Sequence, residues 1–200
     1  MATYNAIKYN VNYKGFAGAL VPLFSTSFTS ATGTVQITSG ITSAFDEYLF
    51  IFNDIRPATD NRGLVFRGST DGGSSYGIET TSTVFRSSAQ ESGGNGALSY
   101  NTEQDVAEST GMIPLISENA NDSDQALCGI LRLYNPASTT FVKHFLSTGS
   151  QTESGGGSDD YSTLKMVSGY MNTTSAINAV KFEMNAGNME NGSIQMFGVN

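Results

Sequence analysis

The sequence predicts an all-β fold of antiparallel strands, and three observations carry that prediction. Short apolar runs, alternating or continuous, recur along the chain, and each is closed by Gly, Pro, Asn or Asp. Charged residues make up 14% of the 200 residues and hydrophobic ones 38%, with Gly, Ser, Thr and Asn filling the difference. Those residues suit short strands with many turns, because Gly and Asn accept left-handed backbone and Thr fits a pleated surface. Consecutive helix formers are confined to Glu103–Ser109, enough for one short helical turn. The periodic runs argue against disorder. A chain of this length supplies one well-buried core and not two.

Residues 1–24 read as an extended N-terminal arm. Tyr4, Tyr9, Tyr13, Phe16 and Leu20 stand among asparagines and glycines, and the segment as a whole keeps neither a helical nor a clean strand period before Pro22 closes it. It is too poor in periodic apolar residues to fold alone and too rich in Tyr, Phe and Leu to be a solvated linker. The expectation is that it lies across another subunit or a scaffold. Gly15–Val21 after Lys14 has some secretory-signal texture, but the stretch before it is long and polar, so an uncleaved arm is expected.

Residues 25–200 read as the folded domain. Thr34–Thr38 alternates and stops at Ser39-Gly40. Phe45–Ile55 follows, and within it Tyr48 to Phe52 are apolar on both pleat faces, as in a strand covered from both sides. Pro57 and Asp60-Asn61 break that run, Leu64–Ser69 rebuilds a strand, and Asp71-Gly72-Gly73 reads as the tight turn of a hairpin. Ile78–Arg86 is a strand, and Ala89–Asn95 a loop. Met112–Ile116 contains Pro114, which marks an edge or a bulge. Ala126–Tyr134 and Phe141–Ser147 are core strands, and Cys128 within the former reads as a small core residue. Leu164–Tyr170 and Ala179–Asn185 are the cleanest; in the latter Val180, Phe182 and Met184 alternate with Lys181, Glu183 and Asn185. Asn191-Gly192 opens the last strand, whose partner is expected among the early strands. About ten short runs in one domain fit two facing antiparallel sheets, a β-sandwich of jelly-roll type.

Charge and composition narrow the chemistry. A net charge of -8 with no basic cluster opposes nucleic-acid binding. No apolar run approaches the ~20 residues of a membrane-spanning helix, so no membrane insertion is expected. One cysteine excludes an internal disulfide, and Cys128 with the single histidine, His144, cannot build a zinc shell. His144 falls on the strand face opposite Phe141 and Phe145, where a structural role is the simpler reading than a catalytic base. Asp46 and Glu47 are neighbours in a strand and point to opposite faces, so they do not form a glycosidase pair. The oxygen-rich loop Asn119–Asp124 offers ligands of the kind calcium takes but lacks EF-hand spacing, which leaves a solvated turn beside a calcium site. Arg56, Arg62 and Arg67 flank the Pro57 loop, suited to an acidic partner or to pairing with nearby acids. No catalytic residue, cofactor or metal site is expected. Tyr76, Tyr100 and Tyr161, with Tyr170, fall at or near expected loops, where an aromatic face stacks on a sugar ring or simply packs.

Several long stretches carry a resemblance. They are Met1–Asn10, Phe45–Tyr48 through Ile55–Asp60, Ser69–Tyr76, Asn135–Phe145, and Lys181–Asn188 with Gly192–Gly198. In these the chain resembles, over nearly its full length, a family of small virion surface proteins of environmental tailed bacteriophages, often described as tail-fibre-like. The resemblance implies a non-enzymatic structural protein on the particle surface, made in the host cytoplasm, with no catalytic residues to carry over. The expected function is an exposed appendage or tail-fibre component, anchored by its arm and in contact with the host surface, with a host glycan as a further partner. A homo-oligomer, trimer favoured, would order the tyrosine-rich arm against a neighbour or another tail or capsid protein. The alternatives are a head-decoration protein on the capsid and a free carbohydrate-binding module. Gly93–Gly96 and Gly155–Gly157 depart from a preorganised site, because glycine-rich loops meet a receptor adaptably.

Overall fold

The computed structural model describes residues 20–94, 96–154 and 159–199. These contain strands and turns and no helix. In chain order the strands are β1 (Leu20–Phe28), β2 (Thr34–Ile37), β3 (Glu47–Pro57), β4 (Arg62–Ser69), β5 (Thr80–Gln90) and β6 (Ala97–Tyr100). They continue with β7 (Ile113–Asn119), β8 (Leu127–Tyr134), β9 (Lys143–Ser154), β10 (Asp160–Met171), β11 (Ala179–Met184) and β12 (Met189–Val199). Every pairing between them is antiparallel.

The hydrogen-bonded path runs β1-β12-β3-β8-β9 and forks at β9. One branch continues through β10 and β5 to β6. The other passes through the Asn119–Glu153 pairing to β7-β4-β11-β2. Paired bonds between Thr32 and Met189, at 2.7 and 2.9 Å, bring the β2 end back to β12, so the sheet nearly closes into a barrel. Its two limbs face each other across an aromatic core. Phe50 and Phe52 on β3 meet Phe182 on β11 at ring separations of 5.3 and 5.2 Å, and Phe145 on β9 meets Phe66 on β4 at 5.0 Å. Period-2 alternation puts these rings inside and their neighbours outside.

Strands β3, β4 and β8 to β12 match the sequence expectation to within a few residues, save for β9 and β10, which run longer than their apolar runs. The last strand pairs with β1 and β3, early strands as expected. Five expectations are corrected. Leu20–Phe24, assigned to the arm, belong to β1 and pair with Met196–Val199; this segment lacks an apolar period because, among the described residues, β1 pairs on one side only and a bulge lies between Pro22 and Phe24. Residues 89–95 are not all loop, since β5 extends to Gln90, and the unforeseen β6 follows from Ala97. Glu103–Ser109 forms no helix; its backbone instead bonds β5, through Ser82 N–H to Val106 O at 2.8 Å and Thr80 N–H to Ser109 O at 2.8 Å. The Asp71-Gly72-Gly73 turn is present, with φ of 73° and 92° at the glycines, but it closes no hairpin. Its flanking strands pair elsewhere, β4 with β7 and β11, β5 with β10 and β6. Finally, Cys128 is exposed, because the inward positions of β8 are taken by Leu127, Leu131 and Leu133.

Candidate functional surface

The outward face of the β6-β5-β10-β9 branch is the most distinctive surface among the described residues. Strand register fixes its layout. Tyr100, Phe85 and Met166 stand directly opposite one another across β6, β5 and β10, and Leu98, Ser87 and Leu164 form the adjoining row. The rings of Phe85 and Tyr100 meet edge to face at 5.7 Å, at an angle of 80°. Leu98 is 79% exposed, Phe85 52%, and Tyr100, Met166 and Leu164 between 43% and 46%. Single exposed apolar residues are ordinary, but five in adjoining register positions make a patch of the kind that marks interaction sites.

The opposite, inward face of the same strands is polar at one end. Lys165 is 1% exposed, and its Nζ donates to Gln104 Oε1 at 3.0 Å, Ser117 O at 2.8 Å, Glu118 Oε2 at 3.0 Å and the Ser117 hydroxyl. Arg86 pairs with Glu153 beside it, and Thr163 donates to the same carboxylate at 3.2 Å. Burial holds the Lys165 ammonium below the ordinary lysine range, against the opposing pull of Glu118. At Glu118 burial alone would raise the carboxyl, but the charge and hydrogen bond of Lys165 outweigh it and the net shift is downward. Lys143, fully buried, donates to Phe141 O at 2.6 Å and Thr173 O at 3.2 Å, and burial pushes it down as well. Both amines are held by several acceptors, an arrangement that fixes structure.

Two shallow clefts lie apart from each other on the surface. One, about 490 Å³, lies among Thr81, Thr83, His144, Ser168 and Tyr170 on the outer side of β5, β10 and β9. Its His144 and Tyr170 rings are cross-strand neighbours 6.0 Å apart. The other, about 460 Å³, is polar and holds Asp54, Arg56, Asp124 and Glu190. There Arg56 pairs with Glu190 at 2.9 Å, and the Asp54 N–H donates to Cys128 Sγ at 3.3 Å. His144 and Cys128 do not meet. Cys128 is opposite Ser150 on β9, six residues from His144 along the same strand, a separation of ~20 Å.

The residues singled out in the sequence are dispersed. Tyr4, Tyr9, Tyr13 and Phe16 lie outside the described residues. Leu20 begins β1, opposite Val199. Tyr76 is on the segment between β4 and β5, where Lys181 Nζ sits 5.1 Å from its ring centre; burial and the nearby Asp71 and Glu183 raise its hydroxyl. Tyr100 lies on β6 and not in a loop, donating to Asp105, which raises its hydroxyl. Tyr161 is also on a strand, β10, on the side shared with Thr163 and Lys165, opposite to that of Leu164 and Met166. Of the three loop tyrosines only Tyr100 joins the apolar patch. The patch escapes the sequence because Ala97–Tyr100 carries no clear strand signal, and without β6 the pairing of Phe85 with Tyr100 has no partner strand. In the Asn119–Asp124 loop, Asn119 donates to Ala120 O at 2.7 Å and Asn121 to Ala58 O at 3.4 Å. Among the described residues no three His, Cys, Asp or Glu converge to hold a metal ion.

The chain matches no protein-family model, no curated protein and no solved structure. Its reading therefore rests on the geometry above and on the sequence.

Proposed function

We propose that this chain is a non-enzymatic structural protein of a tailed-phage particle, an exposed appendage or tail-fibre component that assembles with copies of itself. The observation that carries this reading is the patch of Leu98, Tyr100, Phe85, Met166 and Leu164, laid out on rigid paired strands. An exposed apolar face on paired strands is suited to docking against another ordered surface. The wide separation of His144 and Cys128, and the full engagement of Lys165 and Lys143, fit a body that binds and does not react. The jelly-roll assignment belongs to this proposal; facing limbs and a last strand beside the first support it. Within it, residues 1–19 attach the domain to a neighbouring virion protein at the surface of the particle.

Imaging particles that carry the labelled protein tests the location. Density confined to the tail supports the appendage, and many copies spread over the head would replace it with a head-decoration protein. Deleting residues 1–19 should abolish incorporation while leaving a folded domain; normal incorporation of the truncated chain overturns the anchoring role. A second reading, glycan binding, is favoured by the His144–Tyr170 cleft with the hydroxyls of Thr81, Thr83 and Ser168. A glycan array in which binding is lost on Tyr170→Ala supports it, and an array without hits discards it.

A further inference from the structure

We infer that the outward face of β6, β5, β10 and β9 is the surface through which one copy of this chain binds a second copy. The inference deepens the assembly reading above by naming the interface. Three observations argue for a second copy as its occupant.

Size is the first. Five strands from β6 to β8 span ~19 Å at ordinary strand spacing, and three outward rows cover ~20 Å, so the uncharged centre, with the five apolar side chains in two of its rows, is on the order of 400 Å². Half-buried Ile130, Ile51 and Phe197 continue the face across β8, β3 and β12 to a total on the order of 700 Å². That approaches the roughly 800 Å² that each partner contributes to a standard protein interface.

Charge is the second. The chain carries a net charge of -8, so two copies repel over most of their surfaces. On the outward positions of β10 from Ser162 to Tyr170, and on those of β5, β6 and β9, no Asp, Glu, Lys or Arg occurs. Charges border it: Asp105 accepts from the Tyr100 hydroxyl, and Glu47 pairs with Arg132. Within that border like-charged molecules approach without opposed carboxylates, and a charged partner meets no counter-charge.

The third is the edge. Among the described residues β6 pairs only with β5, and all four of its residues are exposed. An open edge strand with exposed apolar side chains is a hazard unless something covers it.

The test is the mass of the purified full-length chain by sedimentation at tens of micromolar. Against a monomer mass of 21.2 kDa, the wild type is expected at a multiple of that value. Leu98→Glu with Met166→Glu places opposed carboxylates in the contact and should weaken association at least tenfold, with an unchanged cooperative melt. Should the double variant lose its melt, Leu98→Glu alone decides, since that side chain is the most exposed of the five. Gln36→Glu, on the outer side of β2, adds the same charge elsewhere and should leave the mass unchanged. A monomeric wild type, or a folded variant that associates as tightly as wild type, overturns the inference. Either result leaves location on the particle to be settled separately by imaging, so failure of the interface and failure of the virion reading are distinguishable.

Discussion

Asp71 organises the turn after β4 with both of its carboxylate oxygens. It accepts from the hydroxyl of Ser69 at 2.7 Å, from the N–H of Ser75 at 2.9 Å and from the hydroxyl of Ser75 at 2.6 Å. Those bonds, chiefly the Ser75 and Ser69 hydroxyls, lower its pKa to about 2 from 3.8. Because the folded value is the lower one, the stabilisation is complete above pH 3.8 and disappears as pH falls through about 2. Asp71→Asn should flatten the loss of stability between those limits, measured as the denaturant midpoint against pH. The serine and glycine spacing around Asp71 was legible in the sequence as a turn. What the turn connects was not, because turn chemistry is local and strand partnership is not. Phe182 is the core counterpart. It is fully buried against Phe50, Phe52 and Phe66, so Phe182→Ala should cost ~3–5 kcal/mol in urea unfolding. Gly169 shows a third kind of constraint, since a Cβ there would lie 2.7 Å from Phe145 Cζ and 2.8 Å from Ser82 Cβ.

At the scale of elements, β1 and β6 were hidden for related reasons. Among the described residues each is paired on one side only, and an edge strand need not keep a strict dry face. β1 is stitched to β12 from Leu20–Val199 to Phe28–Gly192, so Leu20–Phe28 belong to the folded domain. On the anchoring role proposed for residues 1–19, their removal should leave the melting temperature within a few degrees of wild type. Extending the deletion through Phe28 strips β12 of its partner and uncovers Phe24 and Phe28, which pack against the core. That longer deletion should lower the melting temperature sharply and cause aggregation, read by light scattering during a thermal ramp. Strands such as β11 were legible because from Val180 onward buried apolar residues alternate with partly exposed charged ones.

For the whole molecule, charge and shape act together. A body at -8 that associates through an uncharged face is opposed by long-range repulsion and held by short-range apolar contact. Raising ionic strength shortens the Debye length from ~10 Å at 0.1 M to ~3 Å at 1 M. Self-association should therefore strengthen with salt, seen as a shift of the sedimentation isotherm to lower concentration. An interface built on ion pairs would weaken instead.

The sequence by itself determined that the chain is made of strands, where most of them fall, and which residues of β11 are inside, because alternation within a strand is a local property of extended backbone. Tertiary structure alone decided that β4 and β5 part company at Asp71, that Leu20–Phe24 close onto β12, and that Phe85, Tyr100 and Met166 stand side by side. Pairing joins residues far apart in the chain through backbone hydrogen bonds, which every residue but proline can donate, so nothing in the side chains of one strand names its neighbour.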